Sequence, residues 1–309
     1  MRKYISRQVA MVIPTLLGVS VAVFLMLHLT PGGAVEAILL QGGTALSSDS
    51  MKEMRHKLGF DDPLYLQYLH YVGHVVRGDL GTSYRTQRPV AEMIREALPS
   101  TIQLAIAGMA IALSLGLTLG VVSAIWRNTW IDTLAMILAM LGWSLPQFWL
   151  GLLLILVFSV RLGWLNIASG GGIKTLIMPA AALGLSTAGV TARLVRAGML
   201  EVFRMDYVTT ARAKGLHERV VIIRHVLRNA LIPVVTIVGL QFGRLLGGTV
   251  VIETVFGRQG VGRVAIQALQ TRDMPTIQGT VLFLALVYVG VNLLVDLSYA
   301  VLDPRIRHT

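Results

Sequence analysis

Long apolar stretches separated by short polar ones dominate this chain, and no arrangement in water could bury all of them. The first covers residues 9–29, and others run over 100–125, 133–160, 175–192, 230–251 and 277–302. About 20 helical residues cross a hydrocarbon core of about 30 Å. Of 309 residues, 54% are hydrophobic and only 14% are charged, too few for the surface of a water-soluble domain of this length. The sequence therefore predicts an all-α integral membrane protein with six transmembrane helices.

The basic start, residues 1–8, leads into an apolar run longer than the roughly 7–15 residues of a secretory signal core, and no small-residue cleavage site follows. Residues 1–30 are accordingly read as an inside N-terminus and a first, uncleaved span. Residues 31–98 are polar and form a large insertion on the outer side. Tyr65, Tyr68 and Tyr71 recur there at a spacing of three, which reads as packing onto the body of the protein or the membrane interface. His70 and His74 stand four apart with His56 upstream, but no third ligand is near enough to define a metal site.

The stretch 133–160 is the hardest to place, because Gly142-Trp143-Ser144-Leu145-Pro146 interrupts it. As one helix it would be about 42 Å long, too much for one upright span and too little for two. Charge decides in favour of one tilted or kinked span, since a hairpin would turn the most basic segment outward. With six spans and both termini inside, the inner segments hold fourteen Lys and Arg: Arg2, Lys3, Arg7, Arg127, Arg193, Arg196, Arg204, Arg212, Lys214, Arg219, Arg224, Arg228, Arg305 and Arg307. The short outer loops hold five: Arg161, Lys174, Arg258, Arg263 and Arg272. A core domain over 99–302 and a short inner tail over 303–309 complete the organisation.

Little in the chain carries chemistry. There is no cysteine, no nucleotide-binding glycine loop and no hydrolytic constellation, so no catalytic residue and no metal site is assigned. The net charge of +11 lies between apolar runs and forms no groove, which argues against nucleic acid. Arg244 and Asp296 are the ionisable residues inside spans. Asp296 is close to the inner end of the last span and reads as an interfacial anchor. Arg244, about 21 Å into its span and flanked by Gly239, Gly243, Gly247 and Gly248, is placed either to line a pathway or to bridge to a neighbouring subunit.

What remains is the basic inner segment 193–229. Asp206 to Lys214 is compatible with a helix, Gly215 permits a sharp turn, and His217 to Arg228 forms a second helical run with Val220, Ile223 and Leu227 on one face. Two short helices about a glycine form a knob suited to a groove on a soluble partner; the competing reading is a loop held to anionic membrane lipid by its basic side chains.

DYVTTARAKGL, HVLRNALIP, LLGGTVVIETVF, GVGR, RDMPTIQG and NLLVDLSYAVLDPRIR, together with RKYISRQ and LGFDDPLYLQY, resemble the permease subunits of bacterial ATP-driven importers for dipeptides, oligopeptides and nickel. The resemblance covers nearly the whole chain. It implies a type I, binding-protein-dependent importer in the bacterial inner membrane. Its partners would be a second homologous permease, two ATPase subunits that carry ATP and magnesium, and an extracytoplasmic substrate-binding protein; no cofactor is expected in this chain. It also implies that Asp206, Tyr207, Thr209, Thr210, Ala211, Arg212, Ala213, Lys214, Gly215 and Leu216 form the loop coupled to the ATPase. The usual pattern there is Glu-Ala-Ala, three residues, then Gly. Ala211 and Gly215 keep it, Thr209 and Thr210 replace its first two residues, and Arg228 stands where a proline is usual. Arg258-Gln259 replace the usual Trp-Pro before Gly260. Peptide is the favoured cargo, nickel or a metal chelate the alternative, and a stand-alone channel or ion-coupled carrier the reading from another class.

Overall fold

The computed structural model describes residues 2–29, 62–167 and 172–302. Residues 31–61 of the outer insertion with His56, part of the glycine-rich loop near 170, and the tail with Arg305 and Arg307 lie outside these residues, as does the side chain of Asp296. Among the described residues the regular elements are helices, and the one β pairing is an isolated bridge between Thr82 and Pro89.

In chain order the helices are α1 (Arg2–Leu29), α2 (Leu64–Val76), α3 (Val90–Ile125), α4 (Trp130–Ser144) and α5 (Gln147–Leu154), which continues as a π-helical segment Ile155–Arg161. Then come α6 (Ile173–Val202), α7 (Asp206–Ala213), α8 (Glu218–Val220) with a π-helical segment Val221–Leu227, α9 (Arg228–Val255), α10 (Val261–Gln270) and α11 (Met274–Leu302). By length and composition three described helices can cross a membrane alone, or up to five spans form if each of two bent pairs is one; α1 adds the shorter apolar section Met11–Met26.

Helix ends depart from the sequence expectation, always for a packing reason. α3 starts at Val90, so Pro99-Ser100-Thr101 lie inside it rather than at its start. Val90, Ile94 and Ala97 recur at helical spacing and are buried, which outweighs the hydrogen bond lost at an interior proline. α6 runs ten residues past the expected end at 192, because Val195 and Met199 continue its buried stripe. The stretch 133–160 is more than tilted or kinked. Trp130–Ser144 and Gln147–Arg161 meet at 105°, with Leu145 extended (φ −88°, ψ 135°) as a residue before proline prefers.

The chain divides into two compact units. One holds Gln259–Leu293 and the described residues up to Ser100. Its core joins Val90, Ile94, Ala97 and Val261 with Leu80, Val264 and Phe283. Asp273, only 3% exposed, ties its loops together. Its carboxylate accepts from Ser83 Oγ (2.5 Å), Tyr84 N–H (3.0 Å) and Thr276 Oγ1 (2.7 Å). Burial, then the Asp273 charge, pushes the Tyr84 phenol above the usual tyrosine range. In the tyrosine stripe, Tyr68 bonds Ser20 (2.8 Å) and packs edge-on against Phe24, and Tyr71 lies 6.0 Å from the same ring. The packing role holds for these two, whereas Tyr65 is exposed.

The other unit holds Thr101–Arg258 and the described residues from Leu294. Its central helix is α6, which packs against α4, α5 and α9. Within membranes helices approach closely where small residues remove side-chain bulk. A Cβ at Gly184 would stand 2.5 Å from the Gly108 carbonyl oxygen of α3, a contact with backbone that no rotamer change relieves. Gly184→Leu should therefore destabilise this unit by roughly 3 kcal/mol, the upper part of the usual overpacking range. The check is the thermal midpoint of the purified protein in detergent, and an unchanged midpoint would contradict the contact.

Candidate functional site

The segment after α6 is tightly constructed. α6 ends at Val202, three residues form a turn, and Asp206 starts α7, where its charge favours the helix N-terminus. Val208 and Ala211 are buried against Val195, Met199, Val221 and Val226. α7 closes with two overlapping hydrogen bonds, Gly215 N–H to Arg212 O (2.9 Å) and Leu216 N–H to Ala211 O (3.4 Å). This Schellman closure needs a left-handed residue, and Gly215 supplies it at φ +75°. Across the turn Arg212 grips Glu218 through Nε (3.2 Å) and an Nη (2.7 Å), and its guanidinium lies 5.6 Å from the Phe203 ring centre. Asn229 Nδ2 donates to the Tyr207 hydroxyl at 3.0 Å, linking α7 to α9.

Nine of the ten residues picked from the sequence, Asp206, Tyr207, Thr209, Thr210, Arg212, Ala213, Lys214, Gly215 and Leu216, are exposed. Ala211 is the exception and serves the packing, together with Val208, which the sequence reading did not single out. The second helical run also differs from expectation. It is not a separate short helix but runs without a break through the π-helical segment into α9. A π-helix repeats its contacts at five residues, so Val221 and Val226 turn inward while Val220 and Ile223 are exposed. The knob thus presents apolar and basic side chains together, Tyr207, Leu216, Val220 and Ile223 beside Lys214, Arg219 and Arg224.

Part of the positive charge of this region has partners. Arg193 lies 4.8 Å from the Trp143 ring centre. Arg196 grips Asp132 through Nε (2.9 Å) and an Nη (2.8 Å), while Asp132 also accepts from Ser123 Oγ (2.5 Å) and Asn128 N–H (3.0 Å). This cluster ties the end of α3, the start of α4 and α6. Sequence reasoning missed it because its members are 64 residues apart.

A second feature lies at the break between α4 and α5. Trp143, Pro146 and Gln147 line a cavity of about 580 Å³ with Ser186, Thr187, Gln241 and Arg244. Arg244 is one of the residues that line this cavity. Gln147 Nε2 donates to Ser186 Oγ (2.9 Å), and Gln241 Oε1 accepts from Thr191 Oγ1 (3.2 Å). The neutral polar members escaped sequence reasoning, although Gln241, Arg244 and Gly248 at i, i+3 and i+7 mark one face of α9.

His74 Nδ1 lies 3.2 Å from Asp79 Oδ2, and among the described residues no three His, Asp or Glu side chains are grouped to hold a metal ion.

The site thus combines an exposed segment, 206–216, packed onto the ends of two long helices with a polar cavity in the same unit. The family described as binding-protein-dependent transport system inner membrane component matches residues 116–308, and its N-terminal counterpart matches residues 1–105. The chain is 44% identical over 308 residues to the glutathione transport system permease protein GsiC of Escherichia coli, covering 100% of both chains, and equally to GsiC of Salmonella typhimurium. Among solved structures it is similar to the MetNI methionine ABC transporter in inward-facing conformations (TM-score 0.58, 19% identity, 68% of this chain and 96% of that one). It is also similar to an amino acid ABC transporter (TM-score 0.53, 18% identity, 67% and 92%). The chain belongs to the inner-membrane permease family of binding-protein-dependent ABC importers, in its peptide and nickel branch, and is a multi-pass protein of the bacterial inner membrane.

Proposed function

We propose that this chain forms half of the membrane pathway of an ATP-driven importer for a short peptide, with a glutathione-like tripeptide as the first candidate cargo. Full-length identity of 44% to permeases named for glutathione transport is the observation that carries the choice of cargo. Six spans place both termini and the segment 193–229 in the cytoplasm, and residues 31–98 outside. A second permease completes the pathway, two ATPase subunits dock on the knob 206–216, and a binding protein delivers cargo from outside.

The knob's construction supports the docking. Val208, Ala211, Val221 and Val226 fix it to the ends of α6 and α9, so force applied at Tyr207, Leu216 or Ile223 passes to the helices that border the cavity. ATP-driven closure of the ATPase pair would move the knob and alternate the cavity between the two sides.

The cysteine-free chain allows a direct test. With single-cysteine variants K214C and T86C in intact cells, a membrane-impermeant maleimide should label T86C alone. In the purified importer a photocrosslinker on K214C should capture an ATPase subunit. Labelling of K214C from outside, or capture of the ATPase from T86C, would overturn the arrangement.

A further inference from the structure

We infer that the cavity between α4, α6 and α9 reads a carboxylate on the cargo, with Arg244 as its charged anchor and Gln241 as a neutral donor beside it. This inference rests on the transport function proposed above and adds the chemistry by which the pathway selects.

Three observations carry it. Arg244 is exposed along the cavity, and among the described residues no carboxylate lies within ion-pair distance of it. A guanidinium in an apolar helix is costly and is retained where it faces a water-filled path or a partner charge. Secondly, Gln241 is only 7% exposed, its Oε1 is engaged by Thr191, and its Nε2 has no hydrogen-bond partner among the described residues. A buried amide N–H left in that state is costly, and a ligand acceptor would recover the loss. Gln241 and Arg244 are three residues apart on one helix and so share a face.

The third observation is the charge of the lining. Arg244 is the one ionisable side chain among the lining residues, which are otherwise neutral polar or apolar, and Arg193 sits on the ring of Trp143 just beside them. Such a site attracts an anion and repels a bare metal cation or a cationic cargo. A carboxylate fits the fork of a guanidinium bidentately and leaves an oxygen for the Gln241 amide. Gln147 donates its own amide to Ser186, which leaves its Oε1 as an acceptor for an N–H of the same cargo. The volume of about 580 Å³ suits a small molecule held in a partly open cavity.

The test uses the complete importer in proteoliposomes with two probes, glutathione and its diamide, in which both carboxylates are amides, each at a concentration that saturates the binding protein. Arg244→Gln should lower the uptake rate of glutathione at least tenfold and that of the diamide less than twofold, and Arg244→Lys should fall between wild type and Arg244→Gln for glutathione. Equal loss for both probes, or no loss for either, would overturn the inference while leaving the importer reading intact. Failure of Arg244→Gln to assemble with the second permease would also overturn it, by making Arg244 a bridge between subunits. Wild-type liposomes that accumulate neither probe would instead remove the cargo reading on which the inference rests.

Discussion

Gly215→Val should reduce ATP-driven uptake at least tenfold while the chain still inserts in the membrane, and Gly215→Asn should stay within about twofold of wild type. The difference follows from the backbone. Gly215 has φ +75°, and a Cβ built on it meets nothing within 4 Å. The first side-chain atom of either substitution therefore meets open space. A β-branched residue in the left-handed region costs about 1–2 kcal/mol and drives the turn toward another conformation, whereas asparagine visits that region readily. Breaking the turn would release the two hydrogen bonds that close α7 and the Arg212–Glu218 grip across it. Uptake and ATP hydrolysis, measured together in proteoliposomes, check this. Normal transport by Gly215→Val would sink the coupling role of the loop, and equal loss by both variants would locate the requirement in a close-fitting partner surface instead.

Asp132→Ala should be among the most destabilising single substitutions in the chain. It leaves the Arg196 guanidinium, the Ser123 hydroxyl and the Asn128 N–H without the acceptor that all three share. Breaking a buried pair from one side costs roughly 3–5 kcal/mol, and the 29% exposure of the Arg196 side chain puts this case toward the lower end. Adding Arg196→Met should restore much of the loss, because replacing both charges removes the uncompensated one. Thermal unfolding in detergent of the two single variants and the double variant gives the cycle. A double variant no more stable than Asp132→Ala would show that the carboxylate acts mainly through Ser123 and Asn128.

The parts legible from sequence were those that a single helix records by itself. Apolar runs of bilayer length placed the middle of each long helix, and the Asp206–Gly215 pattern placed α7 and its turn. Helix ends were not legible, because they depend on neighbours: Pro99 stays inside α3 because Val90, Ile94 and Ala97 find a core, and α6 continues to Val202 because Val195 and Met199 do. The buried pair Val221 and Val226 was not legible for a different reason. A 3.6-residue period selects Val220, Ile223 and Leu227, but the π-helical segment repeats at five and buries Val221 and Val226. The Gly-Trp-Ser-Leu-Pro break was visible as an interruption, yet its 105° turn was not, since sequence records the loss of regularity and not the direction taken. Of the cavity only Arg244 stood out, because a charge in an apolar run is conspicuous whereas Gln147, Ser186 and Gln241 gain meaning only when brought together.

The central claim is that this chain conducts cargo but takes its energy from ATPase subunits docked on residues 206–216. The most direct measurement is accumulation of labelled glutathione in proteoliposomes that hold this chain, its second permease and the ATPases. Binding protein is supplied on one side and ATP on the other. The account predicts accumulation only when all components are present, with ATP on the side of Lys214 and binding protein on the side of Thr86. Accumulation by the permeases alone, or at the same rate without ATP, would contradict it and make the protein a self-contained channel or carrier.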